Sequence, residues 1–345
     1  MKNKAIYIIA ILFFGIHINA QDIHFSQTQE TPLQVNPGFT GGFNGDQRVI
    51  LNYRNQWASL GAPFKTYALG FDTKIRTKSK NAFLGIGTFI FKDEAGDLSM
   101  GMLQANLNIA GHVKINDNQI VSLGIMGGFV QRSINGANAQ WGSQFNGITY
   151  DASLPGGNYN FQNFSYVDVS SGISWFYSRE TTNMTSNDNI WVRIGIAANH
   201  LLNPKQNFYT DQTDRMGMRP TFFAQTHIGV SNSKWAFRPQ IFYAQQVKHN
   251  ELTFGNLFRY QLAEGSKYTK LKNSSAISFG LYYRMKDAII TMIQFEYQHF
   301  ALGISYDYNT SKLNAGTNGN GGFEISLRFI NPNPFGGKVS NARFR

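Results

Sequence analysis

The chain has 345 residues, a formal net charge of +11, no cysteine and only 15% charged residues. A soluble domain usually carries about 25% charged residues, so this composition, with 14% aromatic residues and 34 glycines, favours many β-strands with a large apolar exterior. The lack of cysteine excludes disulfides and a lipid-anchored lipoprotein, and an exported basic chain is not expected to bind nucleic acid.

The first twenty residues have the pattern of a secretory signal peptide. Lys2 and Lys4 form a basic start, residues 5–18 are almost wholly apolar, and Ala20 is a small residue before the expected cleavage at Gln21. A short membrane anchor is the alternative, but about 14 apolar residues are too few to span roughly 30 Å as a helix. Because no second long apolar segment follows, a membrane location would require a closed β-barrel.

Residues 21–46 form a polar segment that Pro32 and Pro37 interrupt, and it has too little apolar content for a core of its own. We therefore expect a plug-like segment that packs inside the barrel or at its periplasmic mouth. Its end, GFTGGFNG, lacks the Gly-Lys-Ser/Thr of a phosphate loop and no helical pattern follows it, so the glycines are interpreted as a hinge into the first strand.

From residue 47 onwards the sequence alternates repeatedly between apolar and polar positions. In 300–308, for example, Phe300, Leu302 and Ile304 alternate with small or polar residues, and such period-two runs of eight to ten residues predict strands. This length suits a tilted membrane strand of roughly 9–11 residues. Pro239 lies within one run, where we expect a bend, a bulge or an interruption.

The predicted fold is all-β: a transmembrane antiparallel up-and-down β-barrel of about 14 strands over 47–330. A soluble β-sandwich is the alternative, but its exposed face should carry more Lys, Glu, Asp and Thr, and two sandwich domains would need a linker. The predicted strand centres lie near 53, 69, 87, 106, 125, 171, 195, 226, 240, 257, 279, 293, 304 and 326.

Connection lengths predict the orientation. If the first strand rises from the periplasm, the long connections 133–163, 200–220 and 309–320 lie outside, and the tight turns at 115–119, 231–234 and 298–300 lie inside, as in outer-membrane barrels. Two medium connections, 180–188 and 264–273, would also lie inside and do not support this orientation, but the remaining connections favour it. We therefore expect the outer membrane of a Gram-negative bacterium. The basic, Pro- and Gly-rich residues 331–345 then form a periplasmic tail, either as a disordered end or as a contact for a partner.

The polar strand faces predict a charged lumen, because an Arg or Lys facing lipid at the midplane costs about 2–4 kcal/mol. The lumen is either filled by ion pairs or an anion-lined channel, and we favour a filled one. Tyr53 and Trp57 are expected to face lipid. Arg193 and Arg238 are also expected to point inward, and the residues expected to hold the N-terminal segment in the lumen are Asn52, Arg54, Gln56, Arg284, Glu296, Asp307, Glu324 and Arg328.

Other chemistry is weakly represented. None of the histidines of the mature chain (24, 112, 200, 227, 249 and 299) stands at a metal-ligand spacing from a second His. No serine has the context of a nucleophile elbow. The sequence therefore predicts neither an enzyme, a metal site nor a cofactor, although an outer-membrane hydrolase stays open as a minor alternative.

Several polar stretches are more specific than a generic barrel requires: QDIHFSQ, PLQVNPGFTG, NYRNQW, ANHLLNP and GGFEISL, spread across nearly the whole mature chain. In sequence and in order they resemble the PorP/SprF family of type IX secretion outer-membrane proteins. The N-terminal family motif comprises His24, Phe25, Asn36, Pro37 and Trp57. Phe323 stands where the family usually has His, and Gly38 where it usually has Ala.

The resemblance implies a non-enzymatic barrel without a cofactor, which helps a particular secreted protein or adhesin reach and stay on the cell surface. The implied partners are cargo with a C-terminal sorting domain, periplasmic ring and peptidoglycan-associated components, and the lipid of the outer membrane. Under this interpretation the connections 133–163 and 200–220 face cargo, and the N-terminal segment and the tail face the periplasmic machinery. A passive porin or apolar-solute channel is the alternative function.

Overall fold

The computed structural model describes residues 23–60, 63–79, 81–96, 98–135, 139–157, 162–179, 187–206, 214–264, 273–311 and 314–331. The expected signal peptide, and the tail beyond residue 331, lie outside these ranges. Within them, none of the helices has the length and apolarity that crossing a bilayer requires.

Fourteen antiparallel strands of the described residues close into one barrel, in which each strand pairs with its neighbours in the chain and the last strand pairs with the first. The barrel strands are β1 Gln47–Gln56, β2 Phe64–Arg76, β3 Ala82–Ala95, β4 Met100–Asn116, β5 Gln119–Ser133, β6 Phe164–Arg179, β7 Ile190–Asn199, β10 Arg219–Gly229, β11 Trp235–Gln246, β12 His249–Ala263, β13 Ser275–Arg284, β14 Ala288–Tyr297, β15 Phe300–Asn309 and β16 Asn320–Asn331. A separate two-residue ribbon, β8 Lys205–Gln206 with β9 Asp214–Arg215, lies in the connection between β7 and β10.

The predicted fold class and strand number are confirmed, since every predicted strand centre falls inside one of these fourteen strands. Two details differ from the expectation. Strands β3 to β6 have 14 to 17 residues, more than the predicted length. At Pro239 strand β11 is not interrupted, but its pairing with β10 lapses between Gln240 and Phe237, because Pro has no N–H to donate.

The outer surface of the barrel is apolar. Alternate side chains point away from the lumen, and many large ones are more than half exposed, for example Leu107, Ile125, Val167, Ile196 and Ile293. An exposed apolar surface of this extent is what the lipid of a bilayer covers. The aliphatic and aromatic residues that alternate along each strand therefore form the outer face of the barrel.

The two ends of the barrel differ. The described parts of the connections 134–163, 200–218 and 310–319 lie at one end, which we call the long-loop end. The turns 117–118, 230–234 and 298–299 lie at the opposite end, which we call the short-turn end, together with the described parts of two longer connections, 180–189 and 264–274. Strand β1 begins and β16 ends at the short-turn end.

Residues 23–46 run lengthwise through the barrel, and we call them the N-terminal plug. The plug contains a 3₁₀ turn Thr28–Glu30, a single helical turn Pro32–Val35 and a second 3₁₀ turn Pro37–Phe39, and most of its residues are buried. It starts beside the long-loop end, where His24 and Arg219 line one cavity. It ends at the short-turn end, where Asp46 donates its N–H to the carbonyl of Asn331.

This path corrects one expectation. The N-terminal segment was expected to pack inside the barrel or at its periplasmic mouth and to face the periplasmic machinery together with the tail. It does pack inside the barrel, but its first described residues lie at the end opposite to Asn331. The physical reason is length: a segment of this size is long enough to traverse the lumen once, and each of its turns finds polar wall groups there.

Candidate functional site

The plug is held near the long-loop end by a buried cluster of charges, which we call the latch cluster. It comprises Ser26 of the plug with Arg54, Arg284, Asp307 and Glu324 of the wall. The guanidinium of Arg54 lies 3.0 Å from Glu324 Oε2 and 3.0 Å from Asp307 Oδ2. Ser26 Oγ donates to Asp307 Oδ2 at 2.6 Å and accepts from Arg284 at 2.7 Å. Four of the residues expected from the sequence thus meet around one plug serine.

The latch cluster spans the seam where the barrel closes. Arg54 belongs to β1 and is paired in register with Glu324 of β16. The backbone N–H groups of Ser26 and Gln27 both donate to the carboxylate of Glu324, at 2.8 and 3.2 Å. The carboxylate of Glu324 in the last strand therefore binds both the plug backbone and Arg54 of the first strand.

Further along the plug, Glu30 forms the next contact with the wall. Its carboxylate lies 2.8 Å from the guanidinium of Arg328 and accepts a 2.8 Å hydrogen bond from Gln294. Charged hydrogen bonds of this kind are about twice as strong as neutral ones. Glu30 is 1% exposed, so this carboxylate would be costly without its partners.

Glu296 lies apart from the latch cluster. It forms a separate pair of ion bridges with Arg238, at 2.9 Å, and with Arg259, at 2.8 Å. Asn52 and Gln56 contribute little to holding the plug. The side-chain amide of Asn52 is buried without a hydrogen bond among the described residues, and Gln56 Oε1 is 3.4 Å from Arg54 Nε.

Near the short-turn end the wall binds the plug backbone directly. Arg193 donates to the carbonyl of Gly42 at 2.7 Å, and His112 Nε2 lies 2.7 Å from the carbonyl oxygen of Thr40. The N–H of Gly41 donates to Asp72 at 2.8 Å, and Arg48 pairs with the same carboxylate at 2.7 Å. The positive φ of Gly41, 73°, turns the chain towards β1.

Wall glycines allow this close approach. A Cβ at Gly85 would overlap the carbonyl of Thr40, and a Cβ at Gly124 would overlap the backbone of Pro37. On the neighbouring strands, Asn36 donates from its side-chain amide to the carbonyls of Ile173 and Ile196, both at 3.1 Å. The plug backbone therefore packs directly against lumen-facing glycines of β3 and β5, where a larger side chain would not fit.

The N-terminal family motif is divided between the plug and the mouth. Phe25 is buried in an apolar cluster with Leu33, and Asn36 and Pro37 are buried against the wall. Burial, followed by the guanidiniums of Arg284, Arg54 and Arg219, holds the pKa of His24 well below its usual value, so its imidazole is neutral at neutral pH.

Trp57 does not face lipid as expected. It lines a cavity at the long-loop end together with His24. Strand β1 ends at Gln56, and Trp57 has a φ of 57°, so the alternation that governs the strand no longer applies to it. Tyr53 does lie on the outer wall, where its ring is 5.1 Å from that of Tyr67.

We call the cavity at the long-loop end the mouth cavity. Its volume is about 840 Å³, and it is lined by the plug, by β1, β10, β11, β12 and β13 at this end, and by the residues that follow β13 and β15. Deeper cavities beside the plug are far smaller, about 30 Å³ next to Ile23 and Gln34 and about 10 Å³ next to Pro32 and Phe39. Among the described residues, the plug thus runs through the lumen, and the mouth cavity lies at its long-loop end.

The sequence did not reveal several residues of this arrangement. Ser26, Glu30 and Asp72 make some of its strongest contacts but were not among the expected site residues. Asp72 stands an even number of residues after Thr66 and Ala68, so it faces the lumen as they do, and this alternation could have predicted its position. No comparable signal marks the plug residues. No group of His, Cys, Asp or Glu suited to a metal ion occurs among the described residues.

The closed barrel, its apolar belt and the plug together define a plugged membrane β-barrel protein. A model of the family described as "Type IX secretion system membrane protein PorP/SprF" matches residues 18–329. The chain belongs to this family.

Structural comparison shows likeness to other barrels. The P. putida toluene transporter TodX has a TM-score of 0.44 and 9% identity, over 85% of this chain and 92% of that chain. The CymD monoaromatic hydrocarbon channel has a TM-score of 0.42 and 11% identity, over 87% of this chain and 92% of that chain. The β-domain of the Bordetella autotransporter BrkA has a TM-score of 0.38 and 9% identity, over 83% of this chain and 99% of that chain. With TM-scores below 0.5, none of these likenesses bears on function. No curated protein matches the chain.

Proposed function

We propose that this barrel helps to secrete, or to anchor at the cell surface, a specific cargo protein by binding that protein's C-terminal targeting domain. The observation that supports it is the division of the molecule: the plug runs lengthwise through the lumen, whereas the long connections and the mouth cavity lie at one end. A lumen that holds such a plug favours a protein that binds a partner over one that lets solutes pass.

The proposal places the barrel in the outer membrane with its long-loop end outside. Long external loops and short periplasmic turns are the usual asymmetry of outer-membrane barrels. The connection 134–163 carries exposed apolar residues, including Phe145 and Ile148, the latter 91% exposed. Exposed apolar side chains on a loop are suited to a protein contact. The short-turn end and residues 332–345 would then face periplasmic components of the secretion machinery.

Replacing residues 139–157 by a Gly-Ser linker tests this function. We expect the cargo to appear in the culture medium instead of on the cell surface, because its contact at the long-loop end is lost. The barrel should still be found in the outer membrane in its heat-modifiable, folded form. Inserting the same linker into the 230–234 turn, at the other end, is the control and should leave cargo on the surface. Unchanged surface cargo after the 139–157 replacement would refute the proposal.

A further inference from the structure

The mouth cavity contains more hydrogen-bond donors than the described residues can satisfy. Three residues that line it have a buried polar atom without a hydrogen-bond partner among the described residues: His24 Nε2, Trp57 Nε1 and Ser311 Oγ. The indole nitrogen can only donate, and the hydroxyl and the imidazole nitrogen can donate as well. Buried donors without partners cost free energy, so three at one cavity indicate a site that a ligand completes.

The charges of the cavity point in the same direction. Its two carboxylates are already engaged: Asp287 lies 3.0 Å from Arg284 NH1, and Glu251 lies 3.5 Å from Arg284 Nε and 3.9 Å from Arg219. The ammonium of Lys286 lines the cavity and makes no ion pair with any described residue. The cavity therefore offers a cation and several N–H and O–H donors, but no acceptor that lacks a partner among its carboxylates.

We propose that the mouth cavity binds a peptide carboxylate, with Trp57, Arg284 and Lys286 as its donors and with apolar neighbours on the peptide packing against Met285. The inference rests on the proposed function, because cargo polypeptide would be presented at this end. The volume, about 840 Å³, is within the roughly 300–1,000 Å³ of typical ligand sites, and Trp57, Ala244 and Met285 supply apolar walls. The carboxylate is either the C-terminus of the peptide or an acidic side chain.

Binding of small fluorescent peptides to the full-length mature protein in detergent micelles tests the proposal. The probes are labelled Gly-Phe-Leu with a free C-terminal carboxylate, the same peptide as its C-terminal amide, and Gly-Phe-Asp as its amide. We expect the free acid to bind about 10- to 100-fold more tightly than the Leu amide, since charged hydrogen bonds are lost in the amide. Equal binding of the free acid and the Asp amide identifies a carboxylate of either source, and weaker binding of the Asp amide identifies a chain terminus.

Two conservative variants and one control locate the site. Trp57→Phe keeps the ring but removes the N–H, and Lys286→Gln removes the charge; each should weaken binding of the free acid several-fold. Lys234→Gln removes an exposed lysine at the short-turn end and should have no effect. Heat-modifiability shows that each variant is folded. Equal affinity for acid and amide, no measurable binding of the acid, or lining variants that behave like the control would overturn the proposal.

This experiment fails independently of the cargo experiment. Loss of acid selectivity, while replacement of 139–157 still releases cargo, refutes the carboxylate site alone. Intact acid selectivity, while cargo is unaffected by that replacement, refutes the proposed function alone.

Discussion

Replacing Arg54 by Met should destabilise the barrel strongly. Arg54 is 1% exposed, and its guanidinium lies 3.0 Å from each of two buried carboxylates, those of Asp307 and Glu324. It also donates to Ser26 at 2.5 Å, which ties the plug to the seam. Met preserves most of the side-chain length and the apolar stem but removes the charge and every donor.

The magnitude follows from the charges that remain. Without Arg54 the latch cluster has two carboxylates and one guanidinium, that of Arg284, which lies 3.2 Å from Asp307. Glu324 keeps only the backbone N–H groups of Ser26 and Gln27. Removing one partner of a buried ion pair costs about 3–5 kcal/mol. We therefore expect Arg54→Met to lower the free energy of unfolding by about this amount.

Arg76→Met is the matched control. The Arg76 side chain is 42% exposed and its guanidinium lies 2.9 Å from Asp46, and exposed pairs of this kind contribute about 0–1 kcal/mol. The assay is urea unfolding in detergent micelles, followed by tryptophan fluorescence and by heat-modifiability. Adding Glu324→Gln to Arg54→Met should restore part of the lost stability, since it removes an uncompensated buried charge. Equal midpoints for Arg54→Met and Arg76→Met would refute the role assigned to the latch cluster.

Two other predictions concern the plug. Gly85→Ala should lower the free energy of unfolding by about 1–3 kcal/mol in the same urea assay, because the added Cβ would overlap the carbonyl of Thr40. The control is Gly111→Ala, whose Cβ would have no other atom within 4 Å and which should change the free energy of unfolding by less than about 0.5 kcal/mol. Equal effects of the two substitutions would contradict a close contact between the plug and the wall at Gly85. In planar bilayers the wild-type barrel should show no steady conductance, and a variant with residues 25–40 replaced by a Gly-Ser linker should conduct; steady conductance of the wild type would instead favour a passive channel.

Much of the wall could be predicted from the sequence because a strand repeats every two residues. Once Tyr53 is placed outside, Arg54 must point inward, and the cost of a charge in lipid makes this assignment firm. The same reasoning places Asp307 and Glu324 in the lumen, because each is a charged residue between neighbours that face outward, Tyr306 and Tyr308 in β15 and Phe323 and Ile325 in β16. Local pattern and global fold agree along these strands.

The course of the plug could not be predicted, because its contacts join residues far apart in the chain and follow no period. Glu30 meets Arg328 almost 300 positions later, and nothing near Glu30 indicates that partner. The prediction for Trp57 was wrong for a local reason. Strand β1 ends at Gln56, and the positive φ of Trp57 turns its ring away from the face that the alternation predicts. Strand periodicity thus predicts which face a residue occupies, but only within a strand.

The most direct test of the central claim is photo-crosslinking in intact cells from one residue at each end of the barrel. A photoreactive phenylalanine replaces Ile148, in the connection at the long-loop end, or Asn232, in the turn at the short-turn end. We expect the Ile148 adduct to contain a large secreted protein that added protease digests, and the Asn232 adduct to contain a periplasmic protein that is protected. A protected Ile148 adduct, together with a protease-sensitive Asn232 adduct, would contradict the orientation and the cargo-binding role.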